Sequence, residues 1–172
     1  SPLEQHLELR FSDFIRERIK RYKDHGIGVE GTIILGLDDH DEDSIKRLVD
    51  FLLEIDLDLA EFTVLTPFRG SRIFNKLTRE GRILSEDHNL YDAAHVVYQP
   101  KNISPERLQA MYHYAWDTFY KDEPQTLKMY KLYRRYLEKQ GKAMPRRRRK
   151  ISKQREGREP CPPPPTTSAS PA

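Results

Sequence analysis

Five carboxylates and one imidazole stand together at Asp38-Asp39-His40-Asp41-Glu42-Asp43. A run of this kind can hold a cation, but neither an EF-hand glycine nor a His-x-x-x-His spacing accompanies it. Its simpler chemistry is that of a capped, solvated helix start, where carboxylates meet the positive end of the helix dipole. Arg69 and Arg72 could hold a carboxylate or phosphate in a forked contact, or be ordinary solvated loop charges. Tyr91, His95 and Tyr98 could face a substrate or pack an arm against the body. Lys128, Lys131, Arg134 and Arg135 alternate with Tyr130, Tyr133 and Tyr136, and a basic run 146–150 follows. That pattern suits nucleic-acid phosphates and stacked bases. Tyr130 and Tyr133 are more simply the buried face of a last helix.

These groups sit on readable elements. Leu7, Phe11, Phe14, Ile15, Ile19 and Tyr22 recur at helical steps, and Gly26 follows where a left-handed residue closes a helix. Residues 32–35 are apolar and β-branched without alternation, which predicts a strand covered on both faces. Asp39 with Glu42, or equally Asp41, caps a helix striped by Ile45, Leu48, Val49, Leu52 and Ile55. A second strand is predicted over 59–65, ended by Thr66-Pro67. Strand, helix and strand make a βαβ unit with parallel strands, and its ligand site belongs at their C-terminal ends, in loops 36–41 and 66–71. Gly36 there is either an ordinary strand-to-helix turn or a place for close approach to a ligand. A short helix carries Ile73, Phe74 and Leu77. Residues 95–98 read as a short strand or an extended arm. Ser104-Pro105 starts a helix burying Leu108, Met111, Tyr112, Ala115 and Phe119. Asp122-Glu123-Pro124 starts the last, with Leu127, Tyr130, Tyr133 and Leu137 on one side. Two strands cannot make a stable doubly covered parallel sheet, so the sheet is completed by residues outside this chain or by a hidden strand; the former is favoured.

Composition narrows the class. The chain has 172 residues and a net charge of +3, unevenly spread. From Lys142 onward nine basic and two acidic residues give +7, and the remainder is −4. The body is mildly acidic and carries a basic, then proline-rich tail, expected to be disordered and partly polyproline II. One cysteine, Cys161, allows no intrachain disulfide framework and no multi-cysteine zinc or iron–sulfur site from this chain alone. No apolar run approaches the roughly 20 residues that cross a bilayer, and residues 1–10 lack a signal-peptide core. A cytoplasmic protein is expected, and the first residue, Ser1, suggests a chain cut from something longer.

Taken in order, Gly26-Ile27, then 33–38 (Ile-Ile-Leu-Gly-Leu-Asp) with an acidic helix start, resemble the fifth strand of radical S-adenosylmethionine enzymes. Residues 65–71 (Leu-Thr-Pro-Phe-Arg-Gly-Ser) resemble the turn after their sixth strand. Phe74-Asn75-Lys76-Leu77, then 80–84 (Glu-Gly-Arg-Ile-Leu), 95–100 (His-Val-Val-Tyr-Gln-Pro) and 104–108 (Ser-Pro-Glu-Arg-Leu), with Phe119-Tyr120, are similar to the C-terminal half of the subgroup that carries a cobalamin-binding domain. The resemblance covers roughly residues 10–122.

It implies an α/β fold, the C-terminal portion of a partial TIM-type barrel. Residues 1–86 would be partial barrel, 87–141 a helical extension and 142–172 the tail. It also implies reductive cleavage of S-adenosylmethionine to a 5′-deoxyadenosyl radical at a four-iron–four-sulfur cluster, and in many members cobalamin-dependent methylation of a small-molecule substrate. The fifth-strand motif G-x-I-x-G-x-x-E falls on Thr32, Ile34, Gly36 and Asp39, with Thr32 and Asp39 departing from it; Arg69 stands where a second proline is usual. Ile34 would pack on the adenine face, Gly36 would let the backbone approach, and Leu65 and Thr66 would flank the adenine edge. The cluster motif C-x-x-x-C-x-x-C and the cobalamin motif D-x-H-x-x-G are both absent. The chain therefore reads as the adenine side of the site, partnered by the missing N-terminal part of its barrel and inactive alone. The resemblance assigns it no catalytic residue and no metal ligand. The alternatives are a nucleic-acid-binding protein acting through its basic C-terminal region, and an α/β interaction domain without chemistry.

Overall fold

The computed structural model describes residues 2–142, with side chains from Ser12 onward. Among them five α-helices flank a two-stranded parallel sheet, a mixed α/β arrangement. The basic and proline-rich tail beyond Lys142 lies outside the described residues. No helix among them is long and apolar enough to cross a membrane.

Helix α1 (Pro2–Asp24) ends at Gly26, whose φ of +75° is the left-handed closure expected there. It meets the core through Ile15 and Ile19. Phe14 and Tyr22 of the predicted stripe stay about half exposed, at 51% and 46%. Strand β1 (Glu30–Leu35) pairs in parallel with β2 (Leu59–Val64), Glu30 opposite Leu59 and Leu35 opposite Val64. Between them runs α2 (Glu42–Glu54). Its cap is Asp41, not Asp39: the Asp41 carboxylate accepts from Ser44 N–H at 2.7 Å, and Ser44 Oγ accepts from Asp41 N–H at 2.8 Å. The reciprocal pair satisfies two end donors of the helix at once.

The core lies on one side of the sheet. Ile45, Val49 and Leu52 of α2 are buried, as are Leu108, Met111, Ala115 and Phe119 of α4 (Pro105–Phe119). Phe62 of β2 is 1% exposed and meets Trp116 and Phe119 edge to face, with ring centroids 5.7 and 5.9 Å away. Helix α3 (Arg72–Arg79), capped by Ser71, contributes Leu77. Residues 95–98 form an arm and not a strand, held by one antiparallel bridge from Tyr98 to Ile83.

The expectation that β1 is covered on both faces is corrected. Burial alternates along it: Glu30, Thr32 and Ile34 are exposed, while Gly31, Ile33 and Leu35 turn inward. In β2 Glu61 is exposed and Thr63 half-buried, directly opposite Thr32 and Ile34. The β-branched run reads as doubly buried because Thr and Ile suit a pleat whether or not anything lies on it.

The edges of the sheet differ as well. In a parallel ladder alternate residues bond to the same neighbour. Leu59 and Leu65 N–H groups donate to Val29 and Leu35 carbonyls, so Ala60 and Val64 turn their peptides to the outer edge of β2. That edge is closed. Ala60 N–H donates to Tyr120 Oη at 3.1 Å, whose hydroxyl returns a bond to the Ala60 carbonyl at 2.7 Å, and Val64 N–H donates to the Ala93 carbonyl at 2.7 Å. Ala93 accepts that contact with φ +64°, a backbone region costly for a residue with a Cβ. The peptides of Thr32 and Ile34 point to the outer edge of β1, where no strand among the described residues pairs.

The last helix, α5 (Gln125–Lys139), departs from its predicted face. Only Leu137 is buried; Leu127, Tyr130 and Tyr133 are 42%, 49% and 48% exposed. The helix is anchored by charge instead. Arg135 reaches both Asp58 oxygens at 2.8 Å, and Lys139 Nζ donates to the Asp24 carbonyl at 3.1 Å.

Candidate functional site

The C-terminal ends of β1 and β2 bring most of the predicted site residues together. Thr32 and Ile34 lie on the uncovered face, and Ile34 is 48% exposed. Leu65 follows β2 and donates to the Leu35 carbonyl at 2.8 Å, which sets it beside the end of β1. Thr66 comes next, its hydroxyl donating to the Val64 carbonyl at 3.0 Å. Both are half-buried. Asp39 stands apart as an exposed loop residue. Glu61 and Thr63 complete the open face beside Thr32 and Ile34. Glu61 and Thr63, two polar residues at alternate positions of strand 59–64, were the sequence signal for that face.

Gly36 is placed otherwise than the residue pattern suggests. It is buried with φ +90°, and a Cβ there would lie 2.6 Å from Leu108 Cδ2 and closer still to the Tyr98 hydroxyl. The space that the missing side chain leaves is filled by this chain's own core. Its peptide is also occupied: the carbonyl accepts from the buried Tyr98 hydroxyl, and the N–H donates to His40 Nδ1 at 3.3 Å. Burial pushes the Tyr98 hydroxyl up to about 12, so it remains a donor throughout the physiological range. Burial also lowers the pKa of His40, which keeps a ring nitrogen free to accept.

The loop after Gly36 is locked from a distance. Asp38 Oδ1 accepts from Arg82 at 2.8 Å, and Oδ2 accepts from Lys76 at 2.9 Å and meets Lys101 at 3.1 Å. Asn102 Nδ2 bonds the Asp38 carbonyl at 2.9 Å. Arg82 is itself held by the Gln99 carbonyl at 2.7 Å and Glu80 at 2.9 Å. Glu42 takes a forked pair from Arg107 at 2.7 and 2.5 Å. Sequence reasoning missed this network, since its partners are 38 to 65 residues apart. It also decides what the acidic run does: Asp38 is an anchor, Asp41 a cap and His40 an acceptor. Among the described residues no group of His, Cys, Asp and Glu is arranged to hold a metal ion. Arg69 is engaged by Glu86 at 3.4 Å.

The network makes a pH prediction. Hydrogen bonds from Arg82, then Lys76, hold the Asp38 carboxyl well below the usual carboxylate range, against the opposing effect of burial. A depressed carboxylate stabilises the fold above its unfolded value near 4 and loses that contribution as pH falls through the folded value. Asp38 is 35% exposed, so solvent screening keeps the neutral-pH contribution to about 1 kcal/mol. Asp38→Asn is expected to lower the urea midpoint at pH 7, and the gap from the parent chain to narrow progressively as pH falls below about 4.

No family model matches the chain. It is 32% identical over 84 residues to the bacteriochlorophyllide d C-12(1)-methyltransferase of Chlorobaculum tepidum, across 49% of this chain and 18% of that protein. It is 24% identical over 104 residues to an uncharacterized methyltransferase of Pyrococcus horikoshii, across 60% of this chain and 23% of that protein. The chain spans less than a quarter of the length of either relative. What it resembles, at this level, is one portion of two methyltransferases.

Proposed function

We propose that this chain supplies the adenine side of the S-adenosylmethionine site in a radical S-adenosylmethionine methyltransferase of the cobalamin-binding subgroup. The observation that carries the reading is the asymmetric sheet. Among the described residues one face is open at Thr32, Ile34, Glu61 and Thr63, and the outer edge of β1 is open while that of β2 is occupied at both ends, at Ala60 and Val64. Further strands can therefore join only beside β1, and curling such a sheet would turn the open face inward. The portions shared with two methyltransferases agree with this. S-adenosylmethionine supplies the methyl group or the deoxyadenosyl radical when bound. Ile34 would offer adenine a flat apolar contact, and Thr32 would offer a hydroxyl beside it, while the Thr63 hydroxyl, which donates to the Ile33 carbonyl at 3.2 Å, could only accept. Leu65 and Thr66 would border its edge, with Asp39 toward the loop. Gly36 would act by letting Tyr98 and His40 fix the loop.

The residues present do not fit an iron–sulfur cluster, which needs three thiolates where the chain has Cys161 alone. They do not fit cobalamin either, since the D-x-H-x-x-G pattern is absent. Both groups would belong to upstream sequence, with the small-molecule substrate.

The test has two parts. The reading frame immediately upstream of Ser1 is expected to encode C-x-x-x-C-x-x-C. The protein expressed with that region is expected to bind S-adenosylmethionine, and Ile34→Asp to weaken binding about tenfold or more, equivalent to about 1.4 kcal/mol, with an unchanged urea midpoint. An upstream frame without the motif, or unaltered binding by Ile34→Asp, overturns the proposal.

The nucleic-acid reading gains rings and loses charge. Tyr130, Tyr133 and Tyr136 are each about half exposed. Yet Lys128 and Lys131 pair with Glu123, Arg134 with Glu138 and Arg135 with Asp58. On α5 this leaves Lys139, which meets the Asp24 carbonyl, as the cation not paired with a carboxylate; the basic run 146–150, on which the reading also rests, lies outside the described residues.

A further inference from the structure

An apolar groove of about 560 Å³ lies between α5 and the segment leading into β1. It is at the N-terminal end of the strand, opposite the candidate site. Ile27, Met129, Tyr133 and Tyr136 line it, each 48–54% exposed. Its floor is backbone: a Cβ on Gly28 would lie 2.6 Å from Leu132 Cδ2, so helix and strand lead approach as closely as glycine permits. Gln140 and Lys139 stand at one end; the Gln140 amide supplies polar donors, while the Lys139 ammonium is engaged by the Asp24 carbonyl.

Such a surface has the parts that a polyproline II segment needs. Aromatic rings set along a helix give slots for proline rings, and side-chain donors meet the carbonyls that a polyproline helix leaves unpaired. Its dimensions also agree. Met129 to Tyr136 spans seven residues of α5, or about 10 Å of helix. Four prolines in polyproline II span about 12 Å.

The chain itself carries four consecutive prolines, 162–165, twenty residues beyond Lys142. That tether begins at the groove, since Lys139 and Gln140 form its end. Twenty residues of chain can span about 25 Å while far from fully extended, more than the length of the groove. The effective concentration of the tethered run is on the order of millimolar, enough for a ligand with weak intrinsic affinity. We propose that the proline run 162–165 docks intramolecularly in the groove between α5 and Ile27. The proposal does not depend on the methyltransferase reading.

Cys161, the chain's one cysteine, adjoins the run and makes the test direct. A nitroxide label on Cys161 of the full 172-residue chain is expected to remove most NMR intensity from the Ile27 and Met129 methyls. Ile73 of α3, beyond the opposite end of the sheet, should keep its own. Broadening should be independent of dilution. Intensity should be restored by replacing the four prolines with serine, at an unchanged urea midpoint, which shows that the body stays folded. An added Pro-rich peptide at millimolar concentration should compete. Broadening spread evenly over the surface, broadening that falls on dilution (a second copy), or persistence in the serine variant overturns the proposal.

Discussion

Gly36→Val is expected to destabilise the fold by about 2–5 kcal/mol, combining a left-handed backbone forced on a β-branched residue with overpacking. The added carbons would enter space held by Leu108 and the Tyr98 hydroxyl, and both neighbours are fully buried and unable to yield. The measurement is a urea or thermal unfolding curve. A partial rescue identifies the cause: Leu108→Ala added to Gly36→Ala should cost less than the sum of the two single changes, because the second truncation opens the space the first fills. Strict additivity would show that the strain lies in the backbone alone. The same geometry makes Gly36→Val a poor probe of ligand binding, since a loss would report the loop and core. Ile34 on the open face is the residue whose change can be read as binding.

Phe62→Ala is expected to cost about 3–5 kcal/mol, the range for emptying an aromatic site in a packed core. Phe62 holds β2 against α4 through edge-to-face contacts with Trp116 and Phe119. Against a total stability of about 5–15 kcal/mol for a domain, that is a large share. Trp116 is the only tryptophan, so its emission reports the change: a red shift in buffer and an earlier unfolding midpoint. A shift of under about 1 kcal/mol would mean that α4 does not rest on this ring.

Much of the fold was legible because it is local. Asp41 (one of two caps the sequence offers), Ser104 before Pro105, and Gly26 mark ends by chemistry that acts over a few residues, whereas the Asp41–Ser44 pairing emerges from the structure. The pair of parallel strands around α2 followed from hydrophobic periods and loop lengths. Less legible was which face each element presents. Residues 32–35 read as doubly buried, and Tyr130 and Tyr133 as core, because tyrosine and isoleucine carry apolar surface whether it is covered or not. Only packing decides that, and α4 covers one side of the sheet while α5 is held through Arg135 and Asp58 and leaves its tyrosines half exposed.

The candidate site divides in the same way. The residue pattern places Ile34, Gly36, Leu65 and Thr66 at or just beyond the C-terminal ends of two strands, with Thr32 within the first, since turn positions are encoded nearby; their selection as a site came from the resemblance. The sequence by itself also determined that no cluster of cysteine ligands comes from this chain, a matter of counting. The tertiary structure decided what Gly36 is for and how its loop is fixed. Tyr98, Arg82, Lys101 and Asn102 reach that loop from 44 to 64 residues away. No periodicity carries such contacts: they arise only when Arg82 and the arm 95–102 are laid across the end of β1, where the buried Tyr98 hydroxyl is fixed on the Gly36 carbonyl and the half-buried Asp38 carboxylate is held by its cations.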